Sequence, residues 1–268
     1  MGALKAMSYL PTLHRLVNTP FQDLALAMLA PLTLLAYLLH VRLVERRSCT
    51  ELTLARLPTD LVRGVAIALF VMGSSVVVMS LAGSFHILAW QGFGRGVAMT
   101  ACSALFVGVI EEILMRGLLF RFLEIAAGRW VSLIATSVLF GLLHLGNPNA
   151  SVMGIVGTGA MGVLLGAGYL ATRRLWLPMA LHAGWNFALA GLAGSHNSGT
   201  AQDGLIVTAI DGSRWLTGGA FGFEASLETI ALALLCAGGL LLRANKVVGG
   251  HAGQRDDTAQ NRRGISTV

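Results

Sequence analysis

The stretch VAMTACSALFVGVIEEILMRGLLF, residues 97–120, is apolar over a length that crosses a bilayer, yet it carries three charged side chains. A transmembrane helix needs about 20 mostly apolar residues, and this run is long enough. Glu111, Glu112 and Arg116 lie close together within it, although each charge placed in lipid costs several kcal/mol. The stretch therefore predicts a membrane-spanning helix that buries ionisable groups for a functional reason.

The whole chain has the composition of a membrane protein. Of its 268 residues, 55% are hydrophobic and only 12% are charged, and the mean hydropathy is +0.71. A soluble globular chain of this size is far less apolar. The 33 glycines suit closely packed transmembrane helices, because small residues let helix backbones approach each other. Cys49, Cys102 and Cys236 are too few and too far apart for a disulfide framework or a cysteine-type zinc site.

Seven apolar runs are long enough to span a membrane, and charged or turn-forming segments separate them. They cover residues 23–41, 62–84, 97–120, 130–146, 151–172, 175–194 and 226–243. No internal repeat relates them. The runs predict an all-α fold, a polytopic transmembrane helical bundle of about seven spans.

The same runs divide the chain into six parts. We expect an N-terminal segment without a secretory signal (1–22), two transmembrane helices (23–95), a transmembrane core (96–194), an extracytoplasmic loop (195–225), a last transmembrane helix (226–245) and a disordered tail (246–268). Within the loop, Asp211-Gly212 lies between β-prone residues and predicts a hairpin turn.

The basic residues between the spans concentrate at one end of the predicted bundle. Seven alternating spans bring together Arg42, Arg46, Arg47, Arg56, Arg63, Arg121, Arg129, Arg173, Arg174, Arg243 and Lys246. The positive-inside rule then predicts an N-terminus outside and a C-terminus in the cytoplasm, and the Ala- and Gly-rich composition favours a bacterial plasma membrane. Because topology explains the formal charge of +6, that charge does not indicate nucleic acid as a partner.

The charged residues of the third span differ in their expected roles. Glu112 and Arg116 are four residues apart with the acid first, so they can pair on one helix face. Glu111 lies about 100° around the helix from Glu112 and is poorly placed for the same pairing. It is the spare carboxylate, suited to taking a proton from water.

Two other spans carry polar side chains with the same spacing. Phe140 and His144 share a face in the fourth span, and His182 and Asn186 share a face in the sixth. Taken singly, each pair would be explained by hydrogen bonds between helices. Combined with the free Glu111, they supply a base, a group that positions water and donors for an oxyanion, which is the set that peptide hydrolysis requires.

These residues, as Glu111-Glu112-x-x-x-Arg116, Phe140-x-x-x-His144 and His182-x-x-x-Asn186, resemble the three motifs of the CPBP family. That group of intramembrane proteases includes the Rce1-type CAAX prenyl endopeptidase and the bacterial bacteriocin-processing or immunity-associated Abi proteins. The resemblance covers roughly residues 96 to 194. It implies a membrane endopeptidase in which Glu111 and His144 activate water and His182 and Asn186 stabilise the oxyanion, while Glu112 and Arg116 hold the architecture.

These residues are compatible with more than one cofactor requirement and with more than one function. Glu111, His144 and His182 could form a three-ligand zinc site, but the absence of a His-Glu-x-x-His helix favours a reaction that requires no cofactor. A proton-coupled transporter would also bury carboxylates and histidines. An immunity-type protein would bind a peptide without cutting it. For the protease, we expect a protein or peptide substrate and membrane lipid as partners.

The helical rise predicts how deep the site lies in the membrane. If the third span ends near Arg121, Glu111 lies roughly 15 Å from the cytoplasmic end. His182, counted from Arg174, lies roughly 12 Å from the same end. We therefore expect the site to open toward the cytoplasm.

Overall fold

The computed structural model of the chain describes residues 20–200 and 204–264, and of residues 20–24 and 247–264 it describes the backbone alone. Most of the predicted N-terminal segment, residues 1–22, lies outside the described residues. Within them, the chain is predominantly helical and the helices pack in one bundle.

Seven helices of the described chain correspond to the seven predicted spans. They are α1 (Pro20–Leu39), α2 (Leu57–Leu81), α3 (Arg95–Glu112), α4 (Arg121–Leu143), α5 (Val152–Thr172), α6 (Trp176–Asn186) and α7 (Leu227–Gly264). Three of them continue as wider π-helical segments: α1 over His40–Val44, α3 over Ile113–Phe120 and α6 over Phe187–Leu192. The predicted all-α, polytopic transmembrane bundle is confirmed.

Five helical stretches of the described chain are long and apolar enough to cross a membrane: Ala25–Val44, Thr50–Leu81, Arg95–Gly146, Val152–Thr172 and Leu227–Lys246. The third is 52 residues long because α3 and α4 follow each other without a loop. The chain turns at Gly128, inside the range of α4, where the φ of 82° and ψ of 168° suit glycine alone. α6 is only 11 residues long and is largely buried by its neighbours.

The predicted hairpin at Asp211-Gly212 is wrong. Strand β2 (Ile206–Ile210) pairs antiparallel with β1 (Phe85–Trp90), which follows α2, with Phe85 opposite Ile210. Gly212 instead uses its φ of 103° to lead into a one-turn helix, Arg214–Thr217. The apolar strand partner lies more than a hundred residues earlier in the chain, where a local turn pattern gives no indication of it.

Ion pairs identify one end of the bundle. Arg174, at the start of α6, donates two hydrogen bonds of 2.5 and 3.0 Å to Asp60 in the first turns of α2. Arg121 Nη2, beyond the π-helical segment of α3, donates a 3.0 Å hydrogen bond to Glu45 after α1. We call this the basic end, because the sequence concentrates its arginines here.

Hydrogen bonds between loops define the opposite end. Asn147 Nδ2, after α4, donates to the carbonyl of Ser198 over 3.1 Å, and Asn149 Nδ2 donates to the carbonyl of Gly199 over 3.2 Å. The β1–β2 ladder lies at this same end, since β1 follows α2 directly. We call it the loop end.

The last helix is longer than predicted. α7 continues to Gly264, whereas the sequence predicted a disordered tail from residue 246 onward. The polar residues after 246 include no proline, so no residue there removes a backbone donor from the helix. Residues 265–268 lie outside the described part of the chain.

Stability should depend on Glu45 at the basic end. Burial alone would raise the pKa of the Glu45 carboxyl. Hydrogen bonds from Arg121 and Arg47 nevertheless hold this pKa below its usual value of 4.5. A carboxylate whose pKa is lowered by folding stabilises the protein at pH values above its unfolded-state pKa. This stabilisation is lost as the pH falls through the folded-state pKa. We expect the melting temperature of wild type to exceed that of Glu45→Gln above about pH 4.5, and this gap to shrink on acidification. A gap independent of pH from 7 to 3 would contradict the assignment.

Candidate active site

A close contact between α3 and α6 places the two motifs of these helices side by side. The contact lies at Gly108, where an added Cβ would come within 2.8 Å of the Ala183 nitrogen and 3.0 Å of the Ala183 Cβ. Only a residue without a side chain allows the backbones to approach this far. Glu111 and Glu112 follow one turn below Gly108, and His182 precedes Ala183, so the contact brings carboxylates to the imidazole.

Glu112, Arg116 and His182 form a buried cluster. Glu112 Oε1 accepts a 2.8 Å hydrogen bond from Arg116 Nη1 and lies 3.0 Å from His182 Nδ1. Arg116 Nη2 also donates to the carbonyl of Gly162 on α5 over 2.7 Å, and its guanidinium lies 5.2 Å from the centre of the Phe140 ring. Both members of the ion pair are fully buried. The pair predicted from the four-residue spacing is therefore present, and it links α3, α4, α5 and α6.

Glu111 takes no part in that pair. Its side chain is 35% exposed, and its Oε2 lies 3.8 Å from His182 Nε2, outside hydrogen-bond range. That oxygen is buried and accepts no hydrogen bond from the described residues. A carboxylate oxygen left without a donor at the edge of a cavity is available to a water molecule or a substrate.

Phe140 and His144 complete the wall contributed by α4. His144 Nδ1 donates to the Phe140 carbonyl over 2.8 Å, because a carbonyl oxygen can only accept. In the neutral ring this leaves Nε2 as a lone-pair acceptor. The Phe140 ring lies 5.0 Å from the His144 ring and 5.7 Å, edge to face, from the His182 ring, so it spaces the two imidazoles.

A cavity of about 330 Å³ connects these groups. Glu111, His144, His182 and Asn186 all line it, as does Phe140. Glu112 and Arg116 lie behind this surface and do not line it. The seven residues singled out in the sequence therefore meet at one place, divided into a group that faces the cavity and a pair that supports it.

The cavity also has walls that the sequence motifs did not indicate. Its loop-end lining includes Asn147, Asn197, Ser198, Thr200 and Glu224. Glu224 is buried and accepts hydrogen bonds from Ser198 N at 2.7 Å and from Trp185 Nε1 at 3.3 Å. A single acidic residue among apolar and small residues in AFGFEAS, residues 220–226, was the available signal, since a buried charge needs partners.

The expected opening toward the basic end is wrong. The cavity extends to the loop end, where Asn147 and Thr200 line it. The helical stretch that begins with α3 runs past Arg121 to the turn at Gly128. Glu111 therefore lies roughly 25 Å from that turn, whereas the sequence predicted roughly 15 Å from the basic end. The prediction for Glu111 assumed that the helix ends at Arg121, and that assumption is wrong.

Replacing Gly108 with alanine should disrupt the site without touching a polar residue. The new Cβ would clash with backbone atoms of Ala183, so α3 and α6 must separate and Glu111 must move relative to His182. We expect a loss of peptidase rate of about 100-fold. The matched control is Gly73→Ala in α2, where a Cβ meets nothing within 4 Å. Equal activity of the two variants would contradict the role of the close contact.

The described residues include no group of three or more His, Cys, Asp or Glu side chains arranged to hold a metal ion. The alternative zinc ligand set of Glu111, His144 and His182 is thus not assembled in this structure.

Comparison with known families identifies the same part of the chain. Residues 92–188 match the family described as Type II CAAX prenyl endopeptidase Rce1-like. The matched range contains all seven motif residues, and it overlaps the core predicted at residues 96–194. No curated protein and no solved structure matches the chain.

Proposed function

Because residues 92–188 match the Type II CAAX prenyl endopeptidase Rce1-like family, we propose that the chain is a membrane endopeptidase whose water is activated by Glu111. The observation that carries the proposal is the contrast between two neighbouring carboxylates. Glu112 is fully buried and paired with Arg116, whereas Glu111 has no arginine partner, is 35% exposed and lines the cavity. Such a division leaves one carboxylate free to act as a general base.

In the proposed reaction, a water molecule lies between Glu111 and His144 Nε2. Glu111 takes one proton from this water while the oxygen forms a bond to the carbonyl carbon of the scissile peptide. His144 Nε2 accepts a hydrogen bond from the second hydrogen, which stays on the oxygen, and so orients the water, since Nδ1 is occupied by the Phe140 carbonyl. Glu111 then passes its proton to the amide nitrogen as the carbon–nitrogen bond breaks.

The oxyanion formed in this reaction needs donors on the other side of the cavity. Asn186 Nδ2 can donate at any pH, and its side chain lines the cavity. His182 Nδ1 is directed at Glu112, so Nε2 is the atom left to face the substrate, and it donates when the ring is protonated. Arg116 acts as a positioning residue, because it holds Glu112 and through it the ring of His182.

The charge distribution supports an orientation in an integral membrane protein. We place the basic end in the cytoplasm, by the positive-inside rule, so that α7 runs from the loop end to the cytoplasmic side. The N-terminus then lies outside. The same arrangement leaves the loop end, with Asn147 and Ser198, facing away from the cytoplasm.

Cleavage of peptides by the purified protein tests the proposal. The chain is reconstituted in liposomes and incubated with a mixed peptide library, and new termini are identified by mass spectrometry. We expect fragments that appear with wild type and not with Glu111→Ala. Identical fragments from both preparations would show that a contaminating protease made them. Peptide binding by wild type without cleavage would favour the immunity-type alternative instead.

Activity should persist without a metal ion. The protein is purified without nickel, its metal content is measured, and cleavage is assayed with and without a strong chelator. We expect the two rates to agree within about twofold, because Glu111 supplies the base directly. Loss of cleavage on chelation, with recovery on adding zinc, would overturn the metal-independent mechanism while leaving the protease assignment intact.

A further inference from the structure

The position of the cavity identifies the side from which a substrate arrives. Resting on the proposed function, we infer that the substrate is a polypeptide segment exposed on the extracytoplasmic side, which enters at the loop end. A prenylated chain terminus in the cytoplasm would have to reach Glu111 from the basic end instead. The lining of the cavity, the packing beneath it and its charge all favour entry at the loop end.

The loop end supplies the polar mouth of the cavity. Asn147, Asn197, Ser198 and Thr200 line it, and all four follow the ends of α4 or α6 at the loop end. Asn197 Oδ1 accepts no hydrogen bond from any described residue. Glu224 fixes this wall, since it binds both the backbone nitrogen and the hydroxyl of Ser198. Hydrogen bonds therefore fix the conformation of the mouth, which presents hydrogen-bonding groups to an incoming peptide.

The basic end is closed beneath the site. Glu112 and Arg116 are fully buried, and they lie directly behind the cavity surface. Below them, Phe120 is fully buried and packs edge to face on Tyr169, with ring centres 5.4 Å apart. Leu133 and Leu170 belong to the same apolar cluster. A peptide coming from the basic end would have to break both the ion pair and this packing.

The charge of the cavity argues against a free chain terminus as substrate. Its lining has two carboxylates, Glu111 and Glu224, and among the described residues that line it there is no Lys or Arg. A terminal carboxylate held in a low-dielectric cavity needs a cationic partner. Arg116 cannot serve, because it is sealed behind Phe140 and already pairs with Glu112, and a protonated His182 already has Glu112 as its partner, 3.0 Å from Nδ1. An internal peptide segment carries no such charge.

One side of the cavity is apolar and reaches the membrane-facing surface. Leu114 on the continuation of α3 and Leu143 on α4 both line the cavity, and they are 46% and 58% exposed. Side chains of this kind accommodate the apolar residues of a segment that leaves the membrane. The proposed substrate is thus a membrane-anchored polypeptide, cut where its chain emerges on the extracytoplasmic side.

Thiol labelling in sealed membranes tests the direction of access and does not depend on cleavage. Cys49, Cys102 and Cys236 are replaced, and single cysteines are introduced as Ser103→Cys and Thr200→Cys, both in the cavity lining. Right-side-out and inside-out vesicles are treated with a membrane-impermeant maleimide. We expect both cavity cysteines to react at least tenfold faster in right-side-out vesicles.

Two exposed positions calibrate the experiment. Ser213→Cys lies at the loop end and should react from outside, while Ser48→Cys lies at the basic end and should react from inside. The inference would be overturned if the cavity cysteines reacted faster in inside-out vesicles, as Ser48→Cys should, or if they reacted from neither side. Reversed labelling of both controls would overturn the extracytoplasmic assignment as well. Since no outcome requires turnover, failure of the proposed peptidase activity would be recognised separately in the library assay.

Discussion

Glu111→Gln is expected to abolish peptidase activity while leaving the fold intact. Glutamine keeps the shape of the side chain but cannot take a proton from water, and the loss of a general base typically costs about 10²–10⁴-fold in rate. Glu111 makes no ion pair with Arg116 and is partly exposed, so its replacement breaks no buried network. The rate constant for cleavage of a fixed peptide, measured in liposomes at equal protein content, provides the readout.

A second carboxylate on the same helical stretch serves as the control for Glu111. Glu124 pairs with Arg173 at the basic end, far from the cavity lining. Glu124→Gln should retain cleavage within about twofold, because neither residue faces the substrate. If Glu111→Gln were as active as Glu124→Gln, another group would have to be the base.

Arg116→Ala is expected to destabilise the protein strongly. It removes the ion-pair partner of Glu112, a hydrogen bond to the Gly162 carbonyl and the contact with the Phe140 ring. Glu112 then remains buried with an uncompensated charge, and breaking a buried pair in this way costs about 3–5 kcal/mol. The measurement is the midpoint of thermal unfolding in detergent, followed by loss of the monodisperse protein.

A partly exposed arginine and a paired substitution separate the causes of this loss. Arg129→Ala removes a side chain that stacks on Trp130 at the basic end, and should leave stability nearly unchanged. Removing both charges, as Glu112→Gln with Arg116→Met, should recover part of the stability, because no lone charge stays buried. Equal stability of Arg116→Ala and wild type would mean that Arg116 reaches water.

The sequence contains enough information for the helices and for the centre of the site. Lipid imposes a length and a polarity on each span, so the seven helices could be read from apolar runs. Within a helix, residues four apart must share a face, so the sequence alone predicts the contact between Glu112 and Arg116. Both predictions rest on local geometry that the rest of the chain cannot alter.

Features that depend on distant parts of the chain were not predictable in the same way. β2 pairs with β1 across more than a hundred residues, and no local pattern near Asp211 selects that partner. The expected direction of the cavity depended on where the helical stretch that begins with α3 first turns, and Gly128, not Arg121, marks that position. Glu224 became part of the cavity wall only because the segment after α6 folds back onto Trp185.

The π-helical continuation of α3 also escaped prediction, although it bears on the site. Ile113–Phe120 begins directly after Glu112 and includes Arg116. Wider helical turns of this kind occur often at functional sites. Here the segment carries the arginine that holds Glu112, so the same stretch that first indicated buried chemistry also departs from regular helical geometry.

Hydrolysis in water enriched in ¹⁸O is the most direct test of the central claim, that Glu111 activates water to cut a peptide bond. Wild type and Glu111→Gln, in matched liposomes, are incubated with the same peptide library in labelled water, and new carboxyl termini are examined by mass spectrometry. We predict fragments from wild type that carry one ¹⁸O at the new terminus, and none above background from Glu111→Gln. Labelled fragments in equal amounts from both proteins would contradict the account.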